Sequence, residues 1–244
     1  CESVIRAHPK SAEAFRWLAL IENRAGDRES ALAAISKALT LAPSDPENLN
    51  IQGVLLVALG RLDEALLSFD RACSVRPDFL PAIVNRGNAL LDSKRAPEAL
   101  ECFTRAAELS PMSGELALHR GRALEALGRW EEALQSLTLA TRLNPRLADA
   151  HLSRAELLRT NQRPQEALEA FDAVLSFDAN NPLALQNSAT LLHMLGRLEL
   201  AAARYERLIK LLRRRPEFAE QLDYALGMAV SCRRTMCSWD GLAE

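Results

Sequence analysis

The chain has 244 residues, 48% of them hydrophobic and 25% charged, and its formal net charge is −2. This composition is typical of a folded protein and excludes a long disordered or collagen-like chain. No apolar run reaches the roughly 18 residues of a transmembrane helix, no signal peptide is recognisable, and the charge balance gives no reason to expect nucleic acid or a membrane as the main partner.

The residue usage favours helices over strands. There are 40 alanines and 44 leucines, whereas aromatic residues make up 5% of the chain. Because alanine and leucine are strong helix formers, the composition predicts an all-α chain. Arginine supplies 26 of the 30 basic residues, a bias that we attribute to a GC-rich bacterial genome. The five cysteines lack the spacing of a metal site, which favours reduced thiols in a cytoplasmic protein.

A sequence period of about 34 residues runs through most of the chain, and such a period indicates a repeat architecture. Five series of residues share this period. The series are Pro9, Pro43, Pro77, Pro111 and Pro145; Ala31, Ala65, Ala99, Ala133, Ala167 and Ala201; Ala19, Gly53, Gly87, Gly121, Ala155 and Ala189; Ile35, Phe69, Phe103, Leu137, Phe171 and Tyr205; and Gly26, Gly60, Gly128 and Gly196, with Lys94 and Gln162 in the two gaps of the last series.

Each repeat is predicted to hold two amphipathic helices joined by a short turn. In the second repeat we expect a first helix over 46–58 and a second helix over 62–75. Gly60 lies between them, where glycine can take the left-handed conformation that ends a helix. The small residue Gly53 allows the two helices to approach closely, and Phe69 is predicted to fill the space around that contact.

The predicted organisation follows from the period. Residues 1–215 form the repeat array, in which 1–9 resembles the second half of a truncated repeat. Six full repeats start near Ala12, Pro46, Leu80, Gly114, Ala148 and Pro182. Residues 216–244 form a capping helix and a junction. Since the chain starts at Cys1 rather than at a methionine and stops abruptly at Glu244, we expect it to be a piece of a longer protein.

The segment from Ile83 to Pro111 carries the residues of a known repeat family. It supplies large, small and leucine positions in its first helix, and alanine, aromatic and proline positions in its second. These residues are Ile83, Gly87, Leu90, Ala99, Phe103, Ala106 and Pro111. The set resembles the tetratricopeptide repeat (TPR) family. The resemblance implies a right-handed superhelical TPR solenoid of antiparallel helix pairs, which binds a protein or an extended peptide in its concave groove.

The last repeats depart from this pattern. Ala179 and Arg213 stand where the period places prolines, and Pro182 and Pro216 come three residues later. We expect this shift to lengthen the last second helix.

The segment after Pro216 is predicted to cap the array, since a repeat array needs a terminal element over its open end. Its last part, which includes Cys237 and Trp239, resembles the Cys-Asp-Trp junction that follows the repeats of O-linked N-acetylglucosamine transferase-like proteins, with Ser238 in place of the aspartate. That resemblance implies an array that recruits substrates for a catalytic domain elsewhere in the parent protein. The alternative is a free-standing TPR adaptor in a bacterial assembly, secretion or regulatory complex.

The candidate binding residues lie on the first helix of each repeat, three residues apart and therefore on one face. The sixth positions are Trp17, Ile51, Asn85, His119, Ser153 and Asn187, and the ninth positions are Leu20, Val54, Asn88, Arg122, Glu156 and Thr190. A peptide is expected to place an apolar residue near Trp17 and its backbone against asparagine amides, which both donate and accept. The predicted site comprises Trp17, Asn50, Asn85, Asn88, His119, Arg122 and Asn187. In the transferase-like family, inner-face asparagines hold the substrate backbone, and Asn85 and Asn187 match that position.

Other readings of the same residues stay open or find less support. The site positions could equally be ordinary solvated or packing positions. A clamp for a peptide carboxylate, as in chaperone-binding TPR proteins, lacks its basic residues, and Glu47 and Glu115 would repel the ligand. The four histidines fall in different repeats, so we predict no catalytic residue, no metal site and no cofactor. A second copy of the chain is a further candidate partner, because TPR arrays can pair through exposed ends.

Overall fold

The computed structural model describes residues 10–213 and 215–240, with side chains as far as Met236. In that part of the chain we find thirteen α-helices and a short 3₁₀ turn at Pro216–Phe218, and no strand. The helices are α1 (Ala12–Arg24), α2 (Arg28–Leu41), α3 (Pro46–Ala58), α4 (Leu62–Val75), α5 (Leu80–Asp92), α6 (Ala96–Leu109), α7 (Gly114–Ala126), α8 (Trp130–Leu143), α9 (Ala148–Thr160), α10 (Pro164–Phe177), α11 (Pro182–Met194), α12 (Leu198–Leu212) and α13 (Ala219–Asp240).

The helices alternate as the sequence period predicts, and the all-α fold is confirmed. The odd-numbered helices from α1 to α11 are first helices of 13 residues, and each begins one full period after the last. The second repeat matches its predicted helix bounds at both ends. The chain divides after Arg129 into two compact units, with α1–α7 in unit 1 and α8–α13 in unit 2.

Local backbone chemistry sets where the first helices begin and end. The side chains of Ser11, Asp45, Ser113 and Asn181 accept hydrogen bonds from backbone amides of the first turn that follows them, as helix caps do. The turn after each first helix requires a left-handed residue. Gly60 takes it with φ +76°, and Lys94 and Gln162 take it at φ 59° and 60°. The repeat therefore imposes this turn even where glycine is missing, at a steric cost to the side chain.

Several second helices begin with an arginine that binds a glutamate three residues later. Arg61 binds Glu64 at 2.6 Å, and the same pairing recurs at Arg95–Glu98 and Arg163–Glu166. The glutamate lies near the positive end of the helix, where a negative charge is favourable. These pairs are exposed, so they orient the first turn more than they stabilise the protein.

Another set of arginines ties successive repeats together. Arg71 donates to the carbonyl oxygen of Pro43 at 3.1 Å, Arg105 donates to that of Pro77 at 2.9 Å, and Arg207 donates to that of Ala179. Each bond joins a second helix to the loop that lies just ahead of its own repeat. The arginine bias of the sequence therefore has a structural component as well as the genomic one that we expected.

The core of each repeat is the contact between a small residue on the first helix and a large apolar residue on the second, which is aromatic in four of the six repeats. A Cβ atom built on Gly53 would lie 2.4 Å from the Phe69 ring, and one built on Gly87 would lie 2.6 Å from Phe103. Both phenylalanines are fully buried. The predicted close approach at Gly53 is confirmed, and no side chain larger than hydrogen fits there without displacement of the ring.

The C-terminal end of the array has a longer second helix and a final helix packed on it. Helix α12 has 15 residues, where α10 has 14, as expected from the delayed proline. Helix α13 packs on α12 through buried Ala225, Ala229 and Cys232. The side chains of Cys237 and Trp239, and the half repeat at residues 1–9, lie outside the described residues.

Two glycine variants test the packing account. Gly53→Ala should leave the protein about 1–3 kcal/mol less stable than an unobstructed Gly→Ala change would, because the added methyl overpacks against Phe69 and so cancels or outweighs the roughly 1 kcal/mol by which alanine exceeds glycine in a helix. Gly227→Ala in α13 is the matched control, since a Cβ there meets nothing within 4 Å, and it should stabilise the protein. Thermal unfolding followed by circular dichroism measures both. A Gly53→Ala protein as stable as the Gly227→Ala protein would contradict the packing account.

Candidate binding surface

The first helices of unit 1 stand side by side and present one face. Helix α5 contacts both α3 and α7, and Arg16 on α1 binds Glu47 on α3 at 2.6 Å. We call this surface the A-face. It is formed by the sixth and ninth positions of the four first helices, together with their neighbours Ile21 and Asn50. Its residues are Trp17, Leu20, Ile21, Asn50, Ile51, Val54, Asn85, Asn88, His119 and Arg122.

The A-face begins with exposed apolar side chains on α1 and α3. Trp17 is 54% exposed and Ile21 is 51% exposed, and Leu20 and Val54 are exposed beside them. These four residues are the apolar patch. Scattered exposed apolar residues are normal, and four of them on two neighbouring helices make this part of the A-face a candidate contact surface. Trp17 is therefore not a core residue, and the packing interpretation of this position is wrong.

An amide pair follows the apolar patch along the A-face. The Nδ2 atom of Asn85 on α5 donates to the Oδ1 atom of Asn50 on α3 at 2.9 Å. Both residues are half-buried, and so is Asn88 one turn further along α5. The bond uses one donor of Asn85 and one acceptor of Asn50, and each amide has further hydrogen-bonding capacity. The two helices thus hold the amides in a fixed orientation.

His119 and Arg122 close the polar end of the A-face on α7. The His119 ring stacks on Phe103, with 5.2 Å between the ring centroids and an angle of 14° between the planes. Burial lowers the pKa of His119, and the positive charge of Arg122 lowers it further. His119 is therefore a neutral, stacked ring at neutral pH, and Arg122 carries the charge at this end.

In unit 2 the equivalent surface contains a polar cavity. It has a volume of about 340 Å³. Its lining residues come from α9, α11 and α13, and they are Glu156, Arg159, Gln186, Asn187, Thr190, Met194 and Tyr224. The Thr190 hydroxyl lies 3.0 Å from the hydroxyl of buried Tyr205 and 3.3 Å from that of Tyr224. Thr190 therefore connects both tyrosine hydroxyls at the wall of the cavity. Burial raises the pKa of Tyr205.

The predicted site residues are divided between these two surfaces. Six of them lie on the A-face of unit 1, and Asn187 lines the cavity of unit 2. Sequence reasoning missed Tyr224 as a lining residue. It follows Thr190 by one full period, so the ninth-position series, continued one step into the capping segment, would have found it.

The described residues also bear on catalysis and membranes. Among them, no group of three or more histidine, cysteine or acidic side chains is placed to hold a metal. Burial raises the pKa of the free thiols of Cys73, Cys102 and Cys232, which makes them poor nucleophiles at neutral pH. No helix in the described part of the chain has the length and hydropathy to cross a bilayer.

Helix pairs that recur at a strict period and carry variable residues on one face are typical of helical-repeat proteins that bind other proteins or peptides. The family model for the tetratricopeptide repeat matches residues 2–46, 24–78, 84–148 and 136–184, which is more than half of the chain. The chain belongs to the TPR family, and its function is that of a protein-interaction scaffold.

Solved structures and one curated protein show further likenesses. PilF of Pseudomonas aeruginosa is 19% identical, with a TM-score of 0.71 over 88% of this chain and 96% of that one. MamA of Desulfovibrio magneticus is 23% identical, with a TM-score of 0.64 over 69% and 95%. YrrB, described as a TPR protein with an unusual peptide-binding site, is 24% identical, with a TM-score of 0.61 over 76% and 96%. These likenesses show the fold.

The curated relative is the probable biofilm formation methyltransferase WspC of Pseudomonas putida. It is 39% identical over 62 residues. The match covers 25% of this chain and only 15% of the relative. Its methyltransferase activity therefore describes that protein and not this chain.

The lowered histidine pKa values predict a pH dependence of stability. Burial lowers the pKa of His151 as well as that of His119, from an ordinary value of 6.5. As the pH falls below 6.5, these histidines take up protons in the unfolded chain before they do so in the folded chain. Their contribution to the free energy of unfolding is therefore fully present above pH 6.5 and is lost as the pH falls from there through the lowered pKa values. The melting temperature should drop between pH 8 and pH 5, and His119→Gln should reduce that drop. An equal drop in the melting temperature of the His119→Gln protein would contradict the lowered pKa of His119 as a cause of the pH dependence.

Proposed function

We propose that the A-face of unit 1 binds an extended segment of another protein. The observation that carries the proposal is the apolar patch beside the bonded pair Asn50–Asn85. A large apolar side chain of the ligand would lie against Trp17, and the ligand backbone would be held by the amides of Asn50, Asn85 and Asn88. An apolar anchor supplies affinity, and the amides supply register without a demand for one sequence.

The spacing of the helices suits an extended ligand. Packed helix axes lie about 8–10 Å apart, and an extended chain rises about 3.3 Å per residue. About three ligand residues therefore pass each first helix. An anchor residue on the apolar patch places the next backbone groups at Asn50 and Asn85, and those after them near Asn88.

Binding can be followed through Trp17 itself. The three tryptophans are Trp17, Trp130 and Trp239, so a Trp130→Phe/Trp239→Phe protein reports on Trp17 alone. Peptides selected from a library of random 12-residue sequences should carry a large apolar residue and should shift the Trp17 emission to shorter wavelength. The double variant Asn85→Ala/Asn88→Ala should weaken their binding about tenfold or more, since hydrogen bonds to a ligand contribute about 0.5–1.5 kcal/mol each, with little loss of helicity.

The control is Leu67→Ala on α4, which removes a 64% exposed leucine away from the A-face. It should leave binding unchanged. If the asparagine double variant bound the selected peptides as tightly as the unchanged chain, the polar part of the A-face would not be the binding site.

We further propose a parent protein for the array. The likeness of the segment with Cys237 and Trp239 to the junction of O-GlcNAc transferase-like proteins supports a substrate-recruiting region of a cytoplasmic bacterial glycosyltransferase. A free-standing adaptor is the second candidate, supported by the TPR content of the chain. The gene distinguishes them. Several hundred codons of an α/β domain after Glu244 are expected for the transferase, and a stop codon soon after Glu244 would contradict it.

A further inference from the structure

The exposed side of α13, across the helix from its buried residues Ala225, Ala229 and Cys232, carries an ordered pattern of residues. At spacings of three and four, these residues share one face of the helix. We call this face the outer stripe, and it consists of Asp223, Leu226, Gly227, Val230 and Arg234. All five are exposed, and Val230 is 62% exposed. Helix α13 therefore has two distinct faces, one buried on α12 and one directed outward.

Gly227 lies in the middle of this stripe, and packing within the chain does not require it. A Cβ atom built on it would meet nothing within 4 Å. Glycine inside a helix lowers its stability relative to alanine. What glycine does provide is a place where another backbone or a bulky side chain can approach the helix closely. The exposed Val230, one turn away, is a side chain of suitable size.

We propose that the outer stripe binds the outer stripe of a second copy of this chain, with the two α13 helices antiparallel. A two-fold axis between residues 228 and 229 sets Asp223 of each copy opposite Arg234 of the other. The same axis sets Gly227 opposite Val230, because both pairs are centred on the same point of the helix. A symmetric dimer needs such a self-complementary surface. Here a single two-fold axis brings together the opposite charges of Asp223 and Arg234 and places the large side chain of Val230 against the small Gly227.

Charge fixes the orientation of the pair. Asp223 and Arg234 are eleven residues apart, which is about 16 Å along a helix. An antiparallel arrangement makes two opposite-charge contacts at the two ends of the stripe, whereas a parallel one would bring like charges together. Arg233 is occupied within the chain, since it donates to Glu206 on α12 at 2.5 Å. Arg234 is therefore the stripe's basic group.

The edge of the stripe offers a further apolar contact. Leu226 and Val230 line a cavity of about 240 Å³ with Ile209 and Lys210 of α12. One pair of helices nevertheless buries less than the about 1,200–2,000 Å² of a stable interface. The dimer is accordingly weak and depends on concentration.

Sedimentation equilibrium of the 244-residue chain tests the proposal, over concentrations up to the order of 1 mM. The apparent mass should rise from 26.9 kDa towards twice that value. Asp223→Arg and Arg234→Asp should each weaken the association at least about tenfold, because each creates two like-charge contacts. A mixture of the two variants should associate again, since the two basic side chains on the stripe of one variant then face the two acidic side chains on the stripe of the other.

Glu169→Arg is the matched control, because it makes the same kind of charge change at an exposed site on α10 and should leave the association unchanged. Circular dichroism checks that each variant is folded. A chain that stays at 26.9 kDa at every concentration would overturn the proposal and leave the outer stripe to a different protein or segment. A dimer that survives both single variants, or variants that fail to associate when mixed, would overturn it as well.

Discussion

The contact between a small residue on the first helix and a large apolar residue on the second is the constraint on which the rest of the molecule depends. At Gly53 and Gly87 the rings of Phe69 and Phe103 occupy the space that a Cβ atom would need. The two helices can therefore lie close enough for the ring to be fully buried. Each repeat cannot bury this contact and its outer flanks alone, so its neighbours must stack on it. The constant period of the sequence reflects that repeated contact.

The same constraint explains why one face of the molecule is free to vary. Packing occupies the buried positions of each first helix, while the sixth and ninth positions are only half-buried or exposed. In unit 1 those positions change from Trp17 and Val54 to Asn85 and then to His119, with no change in helix length or bounds. The chemistry of this surface can thus differ from repeat to repeat, while the core contacts stay the same.

The fold could be predicted from the sequence because its signals are local and repeated. Gly60 ends a helix by its own backbone preference, and the series of small and large residues specifies which faces meet. The bond between Asn50 and Asn85 could not be predicted in the same way. It joins a fifth position to a sixth position of the next repeat, so it depends on the offset between neighbouring helices, which a single sequence does not encode locally. The stacking of His119 on Phe103 is another contact between repeats, and it turned an expected polar side chain into a half-buried neutral ring.

The end of the array shows how far the period extends beyond the regular repeats. In α13 the position one full period after Ala189, where a small residue is expected, holds Asp223, and it is exposed rather than buried. The buried residues are Ala225, Ala229 and Cys232. Ala225 lies one full period after buried Leu191, so α13 packs on α12 in the same register as the earlier first helices. Tyr224 keeps its ninth-position role in the cavity, but Asp223 is directed outward. In the repeats, the residue at the position of Asp223 packs against the second helix that follows, as Gly53 packs against Phe69. Within the described residues no such helix follows α13, and Asp223 is therefore exposed while the face that meets α12 keeps its packing.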